Sequence, residues 1–284
     1  MRKVKLLLGL LLLIGGFLSV NAQKKHALVI GIGQYEDSRW GRIHGDSDVD
    51  YAVSMLKKNG FEDIQTLRNA AASKSAIIAA FHDLTERCRK GDKVYIHFSG
   101  HGQQVTDLDG DEDDGWDEAW IPYDAQPYYS AKYKGEKHLI DDEVNALLSG
   151  IKEQIGSAGR LLVIVDACHS GNATRESGDT TIARGFDKKF EIPAEKPRCK
   201  PSLAEDWITI SACLSYQVNW EMSSPAVGKL TWCLHSLSGS LGRLSNQDLK
   251  TSIIRIMQEN PGPLEQIPDI TGNWSMESVK ELFR

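Results

Sequence analysis

Five apolar residues, Leu161-Leu162-Val163-Ile164-Val165, run without alternation into Asp166-Ala167-Cys168-His169-Ser170-Gly171. A short apolar run closed by polar and small residues predicts a strand buried on both faces, as in a parallel sheet. Open α/β sheets carry their chemistry outside the carboxyl ends of such strands. Cys168 stands just past that end. Taken alone, it reads first as a core thiol, because free cysteine is among the most buried residue types.

The same kind of text recurs along the chain. Ala27 to Ile32 predicts a first buried strand, stopped by Gly33. Asp46-Ser47-Asp48 opens a helix whose apolar face is Val49, Ala52, Val53 and Leu56, ended by Asn59-Gly60. Ile64 to Leu67 is a short second strand. Ser73 caps a helix with the stripe Ile77, Phe81, Leu84 and Cys88, closed by Gly91. Lys93 to Phe98 is a third strand and runs into Ser99-Gly100-His101-Gly102. Asp141-Asp142-Glu143 opens a helix to about Ile155, the strand before Cys168 is the fourth, and Trp207 to Cys213 is a fifth. Residues 172–205 lack periodicity and read as a long exposed loop. Leu230 to Leu237 fits helix or strand, Ser245 caps a helix over Asn246 to Gln258, and the tail from Gln266 holds a weak last element. Alternating strands and helices at this spacing predict an α/β fold with helices on both faces of a mainly parallel sheet.

The first 22 residues stand apart. Arg2, Lys3 and Lys5 precede 13 residues, Leu6 to Leu18, that are apolar but too few to span a bilayer, and Val20-Asn21-Ala22 follows. This is the pattern of a cleaved signal peptide, with cleavage expected after Ala22. It implies an exported protein, periplasmic or secreted, with no stable membrane anchor. Residues 23–284 are long enough for a single large domain. Without Arg2, Lys3 and Lys5 the formal charge moves from −6 to −9, which argues against a nucleic-acid partner and suits basic substrates or cations. Nine Asp or Glu and no Lys or Arg lie between Asp107 and Asp124. The cysteines are 88, 168, 199, 213 and 233; export permits disulfides, the odd count leaves one thiol free, and Cys168 is the candidate. The spacings fit no zinc pattern.

Two predicted strands thus end in reactive side chains, His101 and Cys168. On neighbouring strands they would face each other at one sheet edge, where an imidazole can help convert a thiol to the attacking thiolate. The flanking glycines let a substrate approach the backbone, and the amides of Gly102 and Cys168 could together form an oxyanion hole. His169, adjacent to Cys168 on extended chain, should point elsewhere.

Phe98-Ser99-Gly100-His101-Gly102 together with Asp166-Ala167-Cys168-His169-Ser170-Gly171 resembles the caspase-like cysteine peptidases, and among them the metacaspases. The likeness extends in order over residues 25–240, through the Asp114 to Glu118 segment, Asp141-Asp142-Glu143, and Ser211-Ala212-Cys213 followed by Gln217. It implies a caspase-like three-layer sandwich built on about six strands. It implies Cys168 as nucleophile and His101 as general base and acid, with no cofactor required for the chemistry. It implies an acidic S1 pocket, at Asp48, Ser99 and Asp166, that takes Arg or Lys from protein or peptide substrates; a carboxylate there can pair bidentately with a guanidinium. From the residues alone, Asp48 reads equally as a helix cap. Calcium activation is implied through Asp117, Asp141 and Asp142, whose hard oxygens suit that ion. Solvated acids and helix capping are the other reading of these three.

The chain departs from the family pattern twice. Arg175 stands near the place of a further family calcium ligand, and Ser215-Tyr216 replace the acids usual before Gln217. Asp107-x-Asp109-x-Asp111 resembles an EF-hand start, but Glu112 sits where glycine is needed. Trp116, Trp120 and Trp220 read first as core packing and second as a cleft lining. The resemblance also implies that the long loop can be cut by the enzyme itself, at Arg184-Gly185 or Lys188-Lys189; an uncut exposed loop is the other reading. The expected function is a cysteine endopeptidase cutting after Arg or Lys. The alternatives are a clan relative with another P1 preference and a catalytically silent, calcium-responsive binding module.

Overall fold

The computed structural model describes residues 23–110, 112, 114–168, 182–186, 188–193, 206–263, 265–272 and 279–284. The expected signal peptide, His169, Arg175 and Cys199 lie outside them. In chain order the elements are β1 (Lys25–Gly31), α1 (Gly45–Lys58), β2 (Asp63–Arg68), α2 (Lys74–Arg87), β3 (Lys93–Ser99), β4 (Gly102–Thr106), β5 (Trp116–Trp120), β6 (Leu139–Ile140), α3 (Asp141–Ile155), β7 (Arg160–Asp166), β8 (Ile208–Ser211), β9 (Glu221–Ser223), β10 (Ala226–Gly228), α4 (Lys229–Ser236), α5 (Asn246–Glu259), β11 (Asp269–Gly272) and α6 (Val279–Phe283).

The main sheet has the order β11-β8-β7-β3-β1-β2. Its first five strands in sequence pair in parallel, and β11 adds to β8 antiparallel. Alternate residues of β1 feed two separate cores, as a strand buried on both faces requires. Leu28 and Ile30 pack with Ile77, Phe81 and Leu84 of α2 and Val144, Leu148 and Ile151 of α3. Ala27 and Val29 pack with Val49, Ala52 and Leu56 of α1, and with residues of α4, α5 and α6. The chain is therefore a three-layer α/β sandwich with a six-stranded, mainly parallel sheet, the architecture that the resemblance implies. The stretch that fitted helix or strand is helix α4: Leu230, Cys233 and Leu234 are three and four apart and all buried.

Three expectations change. Gly102 to Thr106, which no sequence pattern predicts as a strand, pairs β5 antiparallel in a separate three-stranded sheet. Asp48 is not a cap: His44 precedes the helix and Asp48, inside its first turn, is fully buried. The loop expected to be exposed is exposed at Lys188, Lys189, Glu191 and Pro193, but not throughout. Arg184 and Phe190 are fully buried. Arg184 lies among carboxylates, and Phe190 lies against Tyr133 and His138. Phe190 also hydrogen-bonds along β4 through its N–H to the Gln104 carbonyl at 2.7 Å and its carbonyl to Thr106 N–H at 3.1 Å. Periodicity cannot reveal a segment held by tertiary partners.

Candidate active site

The ends of β3 and β7 are in register, Ser99 opposite Asp166. The residues that follow them therefore emerge side by side. Helix α1 begins against the same edge. A Cβ on Gly45 would stand 2.6 Å from the carbonyl oxygens of Ile32 and Ser99, so only glycine lets the helix start this close, and Asp48 on its first turn turns into the site. Ser99 donates its hydroxyl to Asp48 Oδ2.

Into this acidic corner the chain inserts its own Arg184. Nη1 donates to Asp48 Oδ2 at 2.6 Å, to Ser99 Oγ at 2.5 Å and to the Asp166 carbonyl at 3.1 Å. Nη1 also lies 3.4 Å from Asp166 Oδ1. On the other edge of the guanidinium, Nε donates to Glu221 Oε1 at 2.9 Å, and Nη2 stands 2.9 Å from the same oxygen. The three acids the resemblance did and did not name, Asp48, Asp166 and Glu221, thus surround one cation. Asp166 accepts further bonds from Asn219 Nδ2 at 2.8 Å, Thr231 N–H at 2.8 Å and Thr231 Oγ1 at 2.7 Å. Burial works to raise its carboxyl, and Arg184, Asn219 and Thr231 more than offset it, so it titrates low. Asp48 accepts from Ser99, Arg184, the Gly228 N–H and Thr231 Oγ1. Burial, with Asp166 beside it, lifts its carboxyl to about 6 against the pull of Arg184. Gly228 forms the pocket wall: its N–H donates to Asp48 Oδ1 at 2.9 Å, and a Cβ there would stand 2.2 Å from Asp166 Oδ2.

The backbone around Arg184 is held as firmly as its side chain. Its carbonyl oxygen accepts from the N–H groups of Gly102 (3.3 Å) and Cys168 (3.2 Å). Its N–H donates to the Asn219 carbonyl at 2.9 Å, and Glu221 N–H donates to the Ile182 carbonyl at 2.8 Å. Ala183 bridges Trp220 antiparallel, and Gly185 bridges Gly102 in parallel. The segment thus crosses the sheet edge as an extended strand, with one carbonyl polarised by two amides. Phe186, two residues past Arg184, packs on Trp40 at 4.9 Å and Tyr128 at 5.5 Å.

Cys168 is buried, and its Sγ donates to the Gln217 carbonyl at 3.2 Å. It shares a small cluster with Cys213, Val218 and Trp220. Cys88, Cys168, Cys213 and Cys233 are all free thiols. His101 lies between Tyr35 and Trp40, with ring centroids 5.3 and 5.7 Å away. Its backbone N–H donates to Tyr35 Oη at 2.6 Å. Nε2 lies 3.2 Å from the Gly41 carbonyl, an acceptor only, so Nε2 carries the proton. Nδ1 is then a bare lone pair, buried and without a hydrogen-bond partner among the described residues. Burial pulls the imidazole down to about 4, with the Gly41 carbonyl opposing. It is neutral near pH 7, the form that can accept a proton. Trp120 is a core residue, stacked on Phe98 at 4.6 Å, while Trp116 lies under the Lys189 ammonium at 4.0 Å.

Residues 24–275 match the caspase domain, a peptidase family. The chain belongs to this family. Metacaspase-1A of Aspergillus niger is 34% identical over 160 residues, 53% of this chain and 36% of that protein. Metacaspase-1 of Coccidioides immitis is 33% identical over 160 residues, 53% of this chain and 32% of that one. The caspase-domain chain thus spans about a third of the length of these curated relatives. A crystal structure of a Geobacter sulfurreducens protein superposes with TM-score 0.63 at 25% identity, covering 87% of this chain and 92% of its own. Caspase-1 from Spodoptera frugiperda gives 0.55 at 12% identity, over 88% and 86%, which speaks to the fold alone. The family is caspase-like and of metacaspase type, as the two motifs implied.

The acids implied for calcium lie apart from this corner, on β5 and at the start of α3. Together with Glu112, Glu118 and Trp120, Asp141 lines a cavity of about 270 Å³ that reaches Ala167. Burial, then Asp117, Glu118, Glu112 and Asp142, lifts the Asp141 carboxyl to about 8. Carboxylate oxygens are the right donors for calcium, yet among the described residues no three His, Cys, Asp or Glu side chains converge as a metal site requires. Asp107 instead organises its own loop, accepting from the N–H groups of Asp109 and Gly110 at 2.9 and 2.6 Å. Asp141 titrates above its unfolded value, so its contribution is fully present below about 4 and is lost as pH rises through about 8. In calcium-free buffer Asp141→Asn is therefore expected to melt above wild type by a margin that grows between pH 4 and 8. A constant margin across that range would count against the crowding of these acids.

Glu221 escaped sequence reasoning. It is one acid on a three-residue strand, and only its place beside Arg184 gives it meaning.

Proposed function

We propose that this chain is a cysteine endopeptidase that hydrolyses peptide bonds after a basic residue, and that its own first substrate is the Arg184–Gly185 bond. One observation carries the reading. The Arg184 guanidinium lies among Asp48, Ser99, Asp166 and Glu221 while its carbonyl oxygen accepts from both Gly102 and Cys168. Lys188 and Lys189 have no comparable partners: the Lys188 carbonyl accepts from Gln103, and Lys189 covers Trp116.

The chemistry follows from these groups. His101 Nδ1 takes the Cys168 thiol proton, and the thiolate attacks the Arg184 carbonyl carbon. The developing oxyanion stays between the amides of Gly102 and Cys168, where fixed dipoles stabilise it without reorganisation. His101 returns the proton to the Gly185 nitrogen, the C–N bond breaks, and an acyl-thioester remains on Cys168. Water then attacks the thioester with His101 again as base. This releases the carboxylate and restores the thiol. Substrates in trans would bind once the cut segment leaves, as extended strands along Asn219 to Glu221. Export, expected from residues 1–22, puts those substrates outside the cytoplasm.

Calcium enters this reading as an activator, outside the chemistry. A cation near Asp117, Asp141 and Asp142 would offset the burial and the repulsion that together raise the Asp141 carboxyl. The test is one panel: fluorogenic peptides with Arg, Lys or Asp before the cut, in calcium and in chelator. Arg and Lys peptides should turn over, faster in calcium, and the Asp peptide should not. Equal rates with and without calcium sink the activator alone. Turnover of the Asp peptide, or of none, sinks the peptidase assignment as stated.

A further inference from the structure

We propose that Glu221 makes this site select arginine over lysine, with His44 as the residue that positions it. The inference rests on the peptidase reading above and sharpens its substrate class. The two edges of the Arg184 guanidinium are read by different groups. Nη1 serves Asp48, Ser99 and the Asp166 carbonyl, whereas on the other edge Nε donates to Glu221 Oε1 and Nη2 stands 2.9 Å from that oxygen without a hydrogen bond among the described residues. A lysine has one ammonium and can satisfy one of these two sets, not both. The set it cannot reach keeps a buried carboxylate without its cation, and that mismatch is the larger part of discrimination.

Glu221 is built for this task. Its side chain is 1% exposed. His44 fixes both oxygens: the backbone N–H donates to Oε1 at 2.7 Å, and Nδ1 lies 2.6 Å from Oε2. Oε1, the oxygen that meets the guanidinium, thus points into the pocket while Oε2 is engaged behind it. The same residue's N–H holds the Ile182 carbonyl, so the strand that aligns the substrate also carries the carboxylate that reads its side chain. Ser215-Tyr216 supply no acid before Gln217, and Glu221, four residues past that glutamine, is the carboxylate that this side of the pocket presents.

The test compares kcat/KM for two peptides that differ only in Arg or Lys before the cut, in wild type and Glu221→Gln. Wild type is expected to favour Arg by ~30-fold or more. In Glu221→Gln that ratio should fall about tenfold, mainly through a higher KM for the Arg peptide, with Lys turnover changed by less than about threefold. A second measurement does not depend on the variant pocket: Arg184→Lys, in an otherwise unchanged chain, should slow self-cleavage at position 184 about tenfold. A wild-type enzyme that cuts both peptides equally, an unchanged ratio in folded Glu221→Gln, or self-cleavage of Arg184→Lys at the wild-type rate each overturns the role of Glu221 and leaves the peptidase reading standing. If wild type cuts neither peptide, both fall together.

Discussion

Cys168→Ala is expected to leave the chain intact at Arg184–Gly185 and to lower turnover of Arg peptides by about 10⁴-fold or more. The expected size follows from the absence of a substitute. Cys213 is the neighbouring thiol, but hydrogen bonding to Cys168 and then burial push it well above the usual thiol range. It stays protonated and unreactive at neutral pH. The amides of Gly102 and Cys168 remain to polarise the carbonyl, so binding should survive while bond breaking does not. The variant should also fold. It removes one sulfur from a cluster that keeps Cys213, Val218 and Trp220, a loss on the order of 1 kcal/mol. Mass spectrometry of the two chains after equal incubation reads the outcome directly: a fragment boundary between Arg184 and Gly185 in wild type, and none in the variant. The same cut in both would show that another nucleophile does the work.

How much of this was legible in the sequence depends on what kind of signal each part left. Strands β1, β3 and β7 announce themselves because burial on both faces demands unbroken apolar runs. Their parallel pairing then places His101 and Cys168 at one edge, where Asp48, Ser99 and Asp166 lie around the Arg184 guanidinium. The rest depends on long-range contacts. Gly102-Gln103-Gln104-Val105-Thr106 is too short and polar to stand out as a strand. Arg184 sits in a stretch of Thr, Gly and charge whose only order is the set of groups it docks against. Glu221 is 37 residues from the arginine it holds. No local pattern encodes such a pair, because its stabilisation arises only when the sheet edge is assembled.

Arg184→Ala carries the second large effect, on stability, and its sign with pH is fixed by the pocket. Removing the guanidinium leaves Asp48, Asp166 and Glu221 buried near one another without their shared cation. Uncompensated buried charge costs ~3–5 kcal/mol, or roughly 10 °C in Tm for a domain of this size. The loss is expected to depend on pH. Asp48 already titrates at about 6 with Arg184 in place, and without it nothing opposes burial except its hydrogen bonds. A carboxyl raised further above its unfolded value is at no disadvantage at low pH and loses stability as pH rises through its folded value. The gap between wild type and Arg184→Ala should therefore be full near pH 8 and shrink as pH falls toward about 4 and below, read as two melting curves at each pH. The same variant frees the site. The segment loses the side chain that anchors it, so Arg184→Ala, uncut at 184, should turn over Arg peptides at a rate at least equal to that of uncut wild type. A variant that melts like wild type at pH 8 would mean that the guanidinium is not the pocket's cation. A folded variant with no turnover would mean that cutting, and not vacating the pocket, is what opens the site.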